Sequence, residues 1–526
     1  MLSIELWNIL LADPRDITET ESTTLEAAAV TERASKYIAQ HLYQRTAFLT
    51  EIDNGIQIDD ETIWDRLRTF WEFLSYIFDP SIQEYSLTAV ECNVALALGL
   101  GRLQRNLIAG VYRWQECAID SEPAIRKLLF HITTFTRIEG PLFFPLQIVL
   151  TQLLSNLLSP TSLGVGERFV DTHLTLYQSG KRDDDVIIRL LDSRDVGVNL
   201  VTLHFVANLT RRSRRRFGTL WEGVGLSWTS KILARLDDWL ILHDGRFDVA
   251  YTLFRPIFEF SLQQHAYTSL ASPPEPITPS QTVLLKLIDH YLSSPHPNRS
   301  PSPHCYFIDL YKNLSEYSLA SLQSGKDDAR LPKVFEGLIL VLEGLCSIGL
   351  ACQERSDRRK SGNQQVQDKE GGEEELIGLL RKNETGVIRL LIELLKQLET
   401  FLPRRKHSSQ QTDTTKLNEE QIRPITLLKR NLVRLVGILT FESIQTSDLV
   451  REYGGVHLLL SMTEVDELNP YLREHALFAV RNLMFHNPQN QQIIQQMNPV
   501  GVLGPNGELL PVPGKLQRTD DERHQI

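Results

Sequence analysis

Two Gly-Lys pairs bring this chain nearest to a phosphate-binding loop, and neither completes one. Such a loop needs a glycine five positions before the pair, so that backbone N–H groups cradle phosphate, and a hydroxyl after the lysine. Around Gly180-Lys181 those places hold Thr175 and Arg182, and around Gly325-Lys326 they hold Ala320 and Asp327. Gly99-Leu100-Gly101 opens like a dinucleotide fingerprint, but Gln104 stands where the third glycine belongs, and the run lies inside a helical pattern with no strand before it. No His-Glu-x-x-His, Cys-x-x-Cys or Gly-x-Ser-x-Gly occurs, and Cys346 with Cys352 lacks a nearby histidine for a metal site. The chain is therefore expected to have no catalytic, cofactor-binding or metal-ligating residues.

Three other sets of residues carry recognition chemistry. Asn106, Asn156, Asn208 and Asn482 sit near the ends of helix-like runs, the first three 50 and 52 residues apart. A side-chain amide both donates and accepts, so such a row can hold an extended peptide backbone; equally, each can bond its own turn or the next repeat, the commoner use. Arg211, Arg212, Arg214, Arg215 and Arg216 offer a phosphate-binding or import-directing patch, or a solvated helix end whose cations meet the helix dipole. Ser272, Thr278, Ser300 and Ser302 each precede a proline within 271–303 and are candidate phosphorylation sites, read otherwise as ordinary loop residues.

The elements that must position these residues are helices in a repeat. Val436 recurs as Val480, Leu439 as Leu483, Leu449 as Ile493, Val450 as Ile494 and Val456 as Val500, all at an offset of 44. A period in the forties with helical apolar spacing is what a stacked multi-helix repeat requires, since one unit cannot bury its apolar face alone. Leu428, Leu432, Leu435 and Leu439 line one helical face. Ser447 and Asp448 are expected to cap a second helix, and Gly454-Gly455 to turn the chain into a third at Val456. Asn469-Pro470 then opens the next copy, and Asn498-Pro499 replaces the paired glycines there. Leu435 and Leu483 are expected to be buried at equivalent places.

These same residues carry a resemblance. The run Lys429-Arg430-Asn431-Leu432-Val433-Arg434-Leu435-Val436-Gly437, then Tyr453-Gly454-Gly455-Val456, Asn469-Pro470 and Ala479-Val480-Arg481-Asn482-Leu483 resembles the C-terminal domain of ataxin-10 and its fungal homologues over about residues 424–500. The resemblance implies an all-α, armadillo-like α-solenoid, a right-handed superhelix of helical repeats. It also implies a cytoplasmic location, no known catalysis, and a role in cytokinesis through protein contacts. Some fungal relatives carry a copper-transport name; four methionines and no paired thiols give copper no soft ligand set here. The function expected is a non-enzymatic scaffold for protein partners, with a nuclear-transport-type adaptor that holds linear peptides in its groove as the alternative.

Composition and charge limit the rest. A net charge of −11 spread over 526 residues argues against a mainly nucleic-acid or anionic-membrane role. Five scattered cysteines suit a reducing compartment, and Met1 to Leu6 lacks the basic start of an export signal. Val334 to Cys352 is the best membrane candidate, yet Glu336 and Glu343 share one face opposite Val334, Leu338, Val341, Leu345 and Ile348, so it reads as an amphipathic helix without membrane insertion. The organisation expected is a helical-repeat block over 1–352 with a Pro/Ser-rich loop at 271–303 that holds a helical insert, Val283 to Leu292. A disordered charged linker at 353–375 follows, then a helical segment at 376–402, a second disordered linker at 403–419, and the C-terminal domain at 420–526 with a flexible tail.

Overall fold

Leu428, Leu432, Leu435 and Leu439 form one apolar face, and in a computed structural model of the chain all four are fully buried. The structure describes residues 2–40, 60–82, 86–134, 137–159, 165–181, 185–293, 305–360, 372–404 and 419–497, with two short strands beyond. Helix dominates throughout. Among the described residues the only β structure is the antiparallel pairing of Val502–Leu503 with Leu509–Leu510. The chain divides into two compact units, Met1–Leu270 and Ala271–Ile526, a cut that falls inside the expected 1–352 block.

In the first unit the main helices are α1 (Glu21–Gln40), α2 (Asp60–Ile77), α3 (Leu87–Ile108), α4 (Glu122–Ile132), α5 (Phe144–Leu157), α6 (Val186–Asp192), α7 (Val196–Thr210), α8 (Gly223–Ile241) and α9 (Gly245–Phe254). They pack in two rows. In one row α1 meets α3, α3 meets α5, α5 meets α7 and α7 meets α9; in the other α2 meets α4, α4 meets α6 and α6 meets α8. Caps set the starts: Ser86 Oγ accepts from Ala89 N at 3.2 Å and Asp195 Oδ1 from Val198 N at 2.8 Å. The Gly99-Leu100-Gly101 run belongs to this packing. A Cβ on Gly99 would lie 2.1 Å from Thr31 Oγ1 of α1, and one on Gly101 would lie 2.8 Å from Val149 Cγ1 of α5. The two glycines let α3 approach its neighbours on both sides.

The second unit repeats the two-row pattern with α10 (Pro279–Ser293), α11 (Tyr306–Ser324), α12 (Leu331–Lys360), α13 (Val387–Phe401), α14 (Glu419–Thr440), α15 (Ile444–Glu452), α16 (Gly455–Ser461), α17 (Leu472–Met484) and α18 (Pro488–Gln496). One row runs α10, α12, α14, α17, and the other α11, α13, α15, α18. Leu435 and Leu483 are both fully buried, but the 44-residue offset pairs Leu483 with Leu439 and Leu435 with Ala479. Gly454 takes φ +73 and turns the chain from α15 into α16, the left-handed conformation glycine permits.

Several local expectations are corrected. Ser443 caps α15 in place of Ser447 and Asp448, because its hydroxyl accepts from Thr446 N at 3.4 Å; Ser447 and Asp448 lie within the helix. The helix after Asn469-Pro470 starts at Leu472, with Asn469 held outside it by a bond to Thr426 O at 2.8 Å. The charged stretch expected to be disordered from residue 353 instead continues α12 to Lys360, and helix resumes at Gly372. Its charges have partners: Arg355 pairs with Glu373, Arg359 with Glu374 at 3.1 Å and Lys360 with Glu442 at 2.7 Å. Composition is blind to such pairing, which offsets the ordering entropy that polarity alone cannot. The helical insert runs from Pro279 to Ser293. Asn498-Pro499, Val500, and residues 361–371 and 405–418 of the two linkers lie outside the described residues.

One described helix, α12, is long and apolar enough to cross a membrane, and 61% of its apolar window is buried within the protein. Its acidic residues are engaged: Glu336 lies 3.1 Å from Lys286 of α10, and Glu343 accepts from Asn431 of α14 at 3.3 Å.

Candidate functional site

The four asparagines sit at seams between stacked helices, three in the first unit and Asn482 in the second. Asn106 on α3 donates to Ser35 Oγ at 3.0 Å and Ser35 O at 3.2 Å on α1. Asn156 on α5 donates to Arg105 O on α3 at 3.3 Å, and Asn208 on α7 to Ser155 Oγ on α5 at 2.8 Å. In the second unit Asn482 on α17 donates to Gly437 O on α14 at 2.8 Å. Each amide nitrogen thus reaches the preceding helix of its row, where it satisfies a carbonyl or hydroxyl. At Asn106, and at Asn431 outside this set of four, an arginine completes the clamp. Arg105 Nε bonds Asn106 Oδ1 at 3.2 Å, and Arg430 Nε bonds Asn431 Oδ1 at 3.3 Å, while the Asn431 amide reaches Glu343.

Residues that sequence reasoning passed over join the same seams. Asn431 is buried and makes the Glu343 contact, although it stood in plain view in the Lys429 to Gly437 run. Asn490 is fully buried; its amide donates to Leu483 O at 2.9 Å, and its Oδ1 accepts from Arg451 at 2.9 Å. Asn487 caps α18 through Asn490 N at 3.1 Å and also donates to Asp448 Oδ1 at 2.9 Å. The visible signal was the Asn-Pro pair at 487–488, a helix-start signature.

Charge runs across four stacked helices of the second unit. Asp289 on α10 is pushed up to about 6 by burial and by Glu343 on α12. Glu343 lies 3.7 Å from Arg430 on α14. His475 on α17 is held below its usual value by burial and by the guanidiniums of Arg434 and Arg430. Burial pushes the Cys346 thiol up to about 12, which leaves it a core thiol and a poor nucleophile at neutral pH.

The arginine run divides in two. Arg216 is buried; its Nη1 lies 3.3 Å from Asp171 Oδ1 and its Nη2 donates to Arg211 O at 3.0 Å. Arg211, Arg212, Arg214 and Arg215 are exposed. Of the Ser/Thr-Pro residues, Ser272 is exposed, whereas Thr278 is 9% exposed and closes a capping box. Its Oγ1 accepts from Gln281 N at 3.2 Å, and Gln281 Oε1 accepts from Thr278 N at 2.8 Å. Thr278 is therefore not the exposed loop hydroxyl that its Thr-Pro context suggests. Ser300 and Ser302 lie outside the described residues.

Among the described residues no group of three or more His, Cys, Asp or Glu side chains is placed to hold a metal ion. A cavity lined by Tyr112, Gln115, Leu157, Leu158, Phe169 and Val170 has room for little more than a water molecule, far below the size of a substrate pocket. What the geometry defines is an all-helical protein whose polar side chains bind its stacked helices to one another.

The family described as the spinocerebellar ataxia type 10 protein domain matches residues 428–522, the stretch that holds α17, α18 and most of α14. The chain is 37% identical over 81 residues to the ataxin-10 homolog of Dictyostelium discoideum, which is 15% of this chain and 13% of that protein. It is 29% identical over 110 residues to the Schizosaccharomyces pombe homolog, 21% of this chain and 25% of that one. Human ataxin-10 is 35% identical over 74 residues, 14% of this chain and 16% of its own length. The chain thus carries, at its C-terminus, a domain of the ataxin-10 family. Each alignment spans a quarter or less of the relative's length. A solved engineered protein aligns over 92% of this chain with a TM-score of 0.28 and 13% identity, too distant to define the fold.

Proposed function

We propose that the chain is a non-enzymatic, armadillo-like solenoid that serves as a scaffold for protein partners, cytoplasmic and acting in cytokinesis. The observation that carries the reading is the use of the asparagine amides. Asn106, Asn156, Asn208 and Asn482 each donate to the preceding helix within their own unit, so these polar groups maintain the stacking there. An adaptor that reads linear peptides needs such amides directed at the ligand. The two-row packing in each unit and the C-terminal ataxin-10 domain support the same reading. Cytokinesis and the cytoplasmic location rest on the family resemblance.

The test is affinity capture with the full chain from dividing and resting cells, quantified against an unrelated helical repeat protein. Specific protein partners, enriched in the dividing cells, are the expected result. Capture no greater than the control from either population would contradict a scaffold.

A further inference from the structure

The turn after α7 holds four arginines whose side chains have no partner among the described residues. Arg211 ends the helix, Arg212 adopts φ 60, and Ser213 Oγ accepts from Arg216 N at 3.3 Å to start the short helix Arg214–Gly218. Arg216 does the structural work of the run, bonding Arg211 O and pairing with Asp171. The side chains of Arg211, Arg212, Arg214 and Arg215 point outward and form no hydrogen bond or ion pair among the described residues; in particular, none reaches the last carbonyls of α7. Elsewhere the guanidiniums are largely engaged, as at Arg33, Arg102, Arg126, Arg246, Arg389 and Arg451. Four cations in five residues, unpaired among the described residues, repel one another on a chain of net charge −11.

We propose that Arg211, Arg212, Arg214 and Arg215 form a docking site for a short acidic segment of a partner protein. The chemistry is charge-assisted hydrogen bonding, in which guanidinium forks receive Asp and Glu carboxylates. The extent of the patch selects a short peptide over a long polyanion. Asp171 is paired to Arg216 beside the patch, and Glu222, with 70% of its side chain exposed, follows six residues after Arg216. A nucleic acid strand, with a charge at every phosphate, would run on past these carboxylates. The proposal rests on the scaffold reading and names one class of partner for it.

The experiment uses the full chain and a fluorescein-labelled twelve-residue peptide of alternating Glu and Ser, followed by anisotropy. The unaltered chain should bind it with an affinity that falls as salt rises. The quadruple variant R211Q/R212Q/R214Q/R215Q, which keeps Arg216, should lose at least tenfold with an unchanged melting temperature, and the quadruple Arg→Lys variant should retain part of the binding. Equal binding by the unaltered chain and the Gln variant would overturn the proposal, as would tighter binding of a twelve-nucleotide RNA than of the peptide. Partner capture that survives the Gln variant, with peptide binding absent throughout, would refute this site and leave the scaffold standing.

Discussion

Asn482 donates from Nδ2 to the carbonyl oxygen of Gly437 at 2.8 Å, joining α17 to α14 across 45 residues of chain. Gly437 is also a point of close approach, since a Cβ there would lie 2.8 Å from Phe478 Cδ1. Replacing Asn482 with alanine leaves the buried Gly437 carbonyl with only the Thr440 hydroxyl at 3.2 Å and should cost about 1 kcal/mol in urea denaturation. Gly437→Ala should also destabilise, through the clash with Phe478. A loss below about 0.3 kcal/mol for both would mean that this seam contributes nothing to stability.

Leu435 and Leu483 are fully buried on α14 and α17. Alanine at either leaves a cavity in a packed interface, and each variant should lose about 2–5 kcal/mol. Less than 0.5 kcal/mol at both positions would contradict the packing described.

Asp289 supplies a pH dependence. Its carboxyl, pushed up to about 6 by burial and by Glu343, holds its proton more tightly in the folded chain than at the ordinary value of 3.8. The stability it lends is therefore full below about pH 4 and is lost as pH rises through about 6. Asp289→Asn should stabilise at pH 7.5 by on the order of 1 kcal/mol, after discounting for partial exposure, and by almost nothing at pH 4. Urea melts at the two pH values decide it: an equal effect at both would show that the carboxyl is not perturbed in the fold.

Thr278 and Gln281 bond each other's backbone N–H at the start of α10. Thr278→Ala should cost about 1 kcal/mol, and hydrogen exchange should rise first in the opening turn of that helix. Unchanged exchange there would argue against the cap.

The helical class and the buried face of α14 were legible because apolar spacing at Leu428, Leu432, Leu435 and Leu439 reports burial directly. The asparagines were legible as residues of interest but not in role, since spacing does not tell which way an amide points. Other features were hidden for physical reasons. Residues 353–360 meet Ile438 O, Glu373, Glu374 and Glu442, the last 82 residues from Lys360, and no local composition reveals the distant partners. Thr278 reads as a loop hydroxyl until Gln281 is seen to return its bond. Gly99 and Gly101 look like half of a nucleotide motif, and only the closeness of α1 and α5 shows what they serve.

The most direct test of the account is the triple variant N106A/N156A/N208A, assayed together for stability and for partner binding. Each amide reaches the preceding helix, at Ser35, Arg105 and Ser155 respectively. Losing three half-buried clamps should cost roughly 2–3 kcal/mol in urea denaturation, with binding to a captured partner retained under conditions where the variant remains folded. Wild-type stability combined with lost partner binding would contradict the account and mark these asparagines as the ligand-reading row of a peptide adaptor.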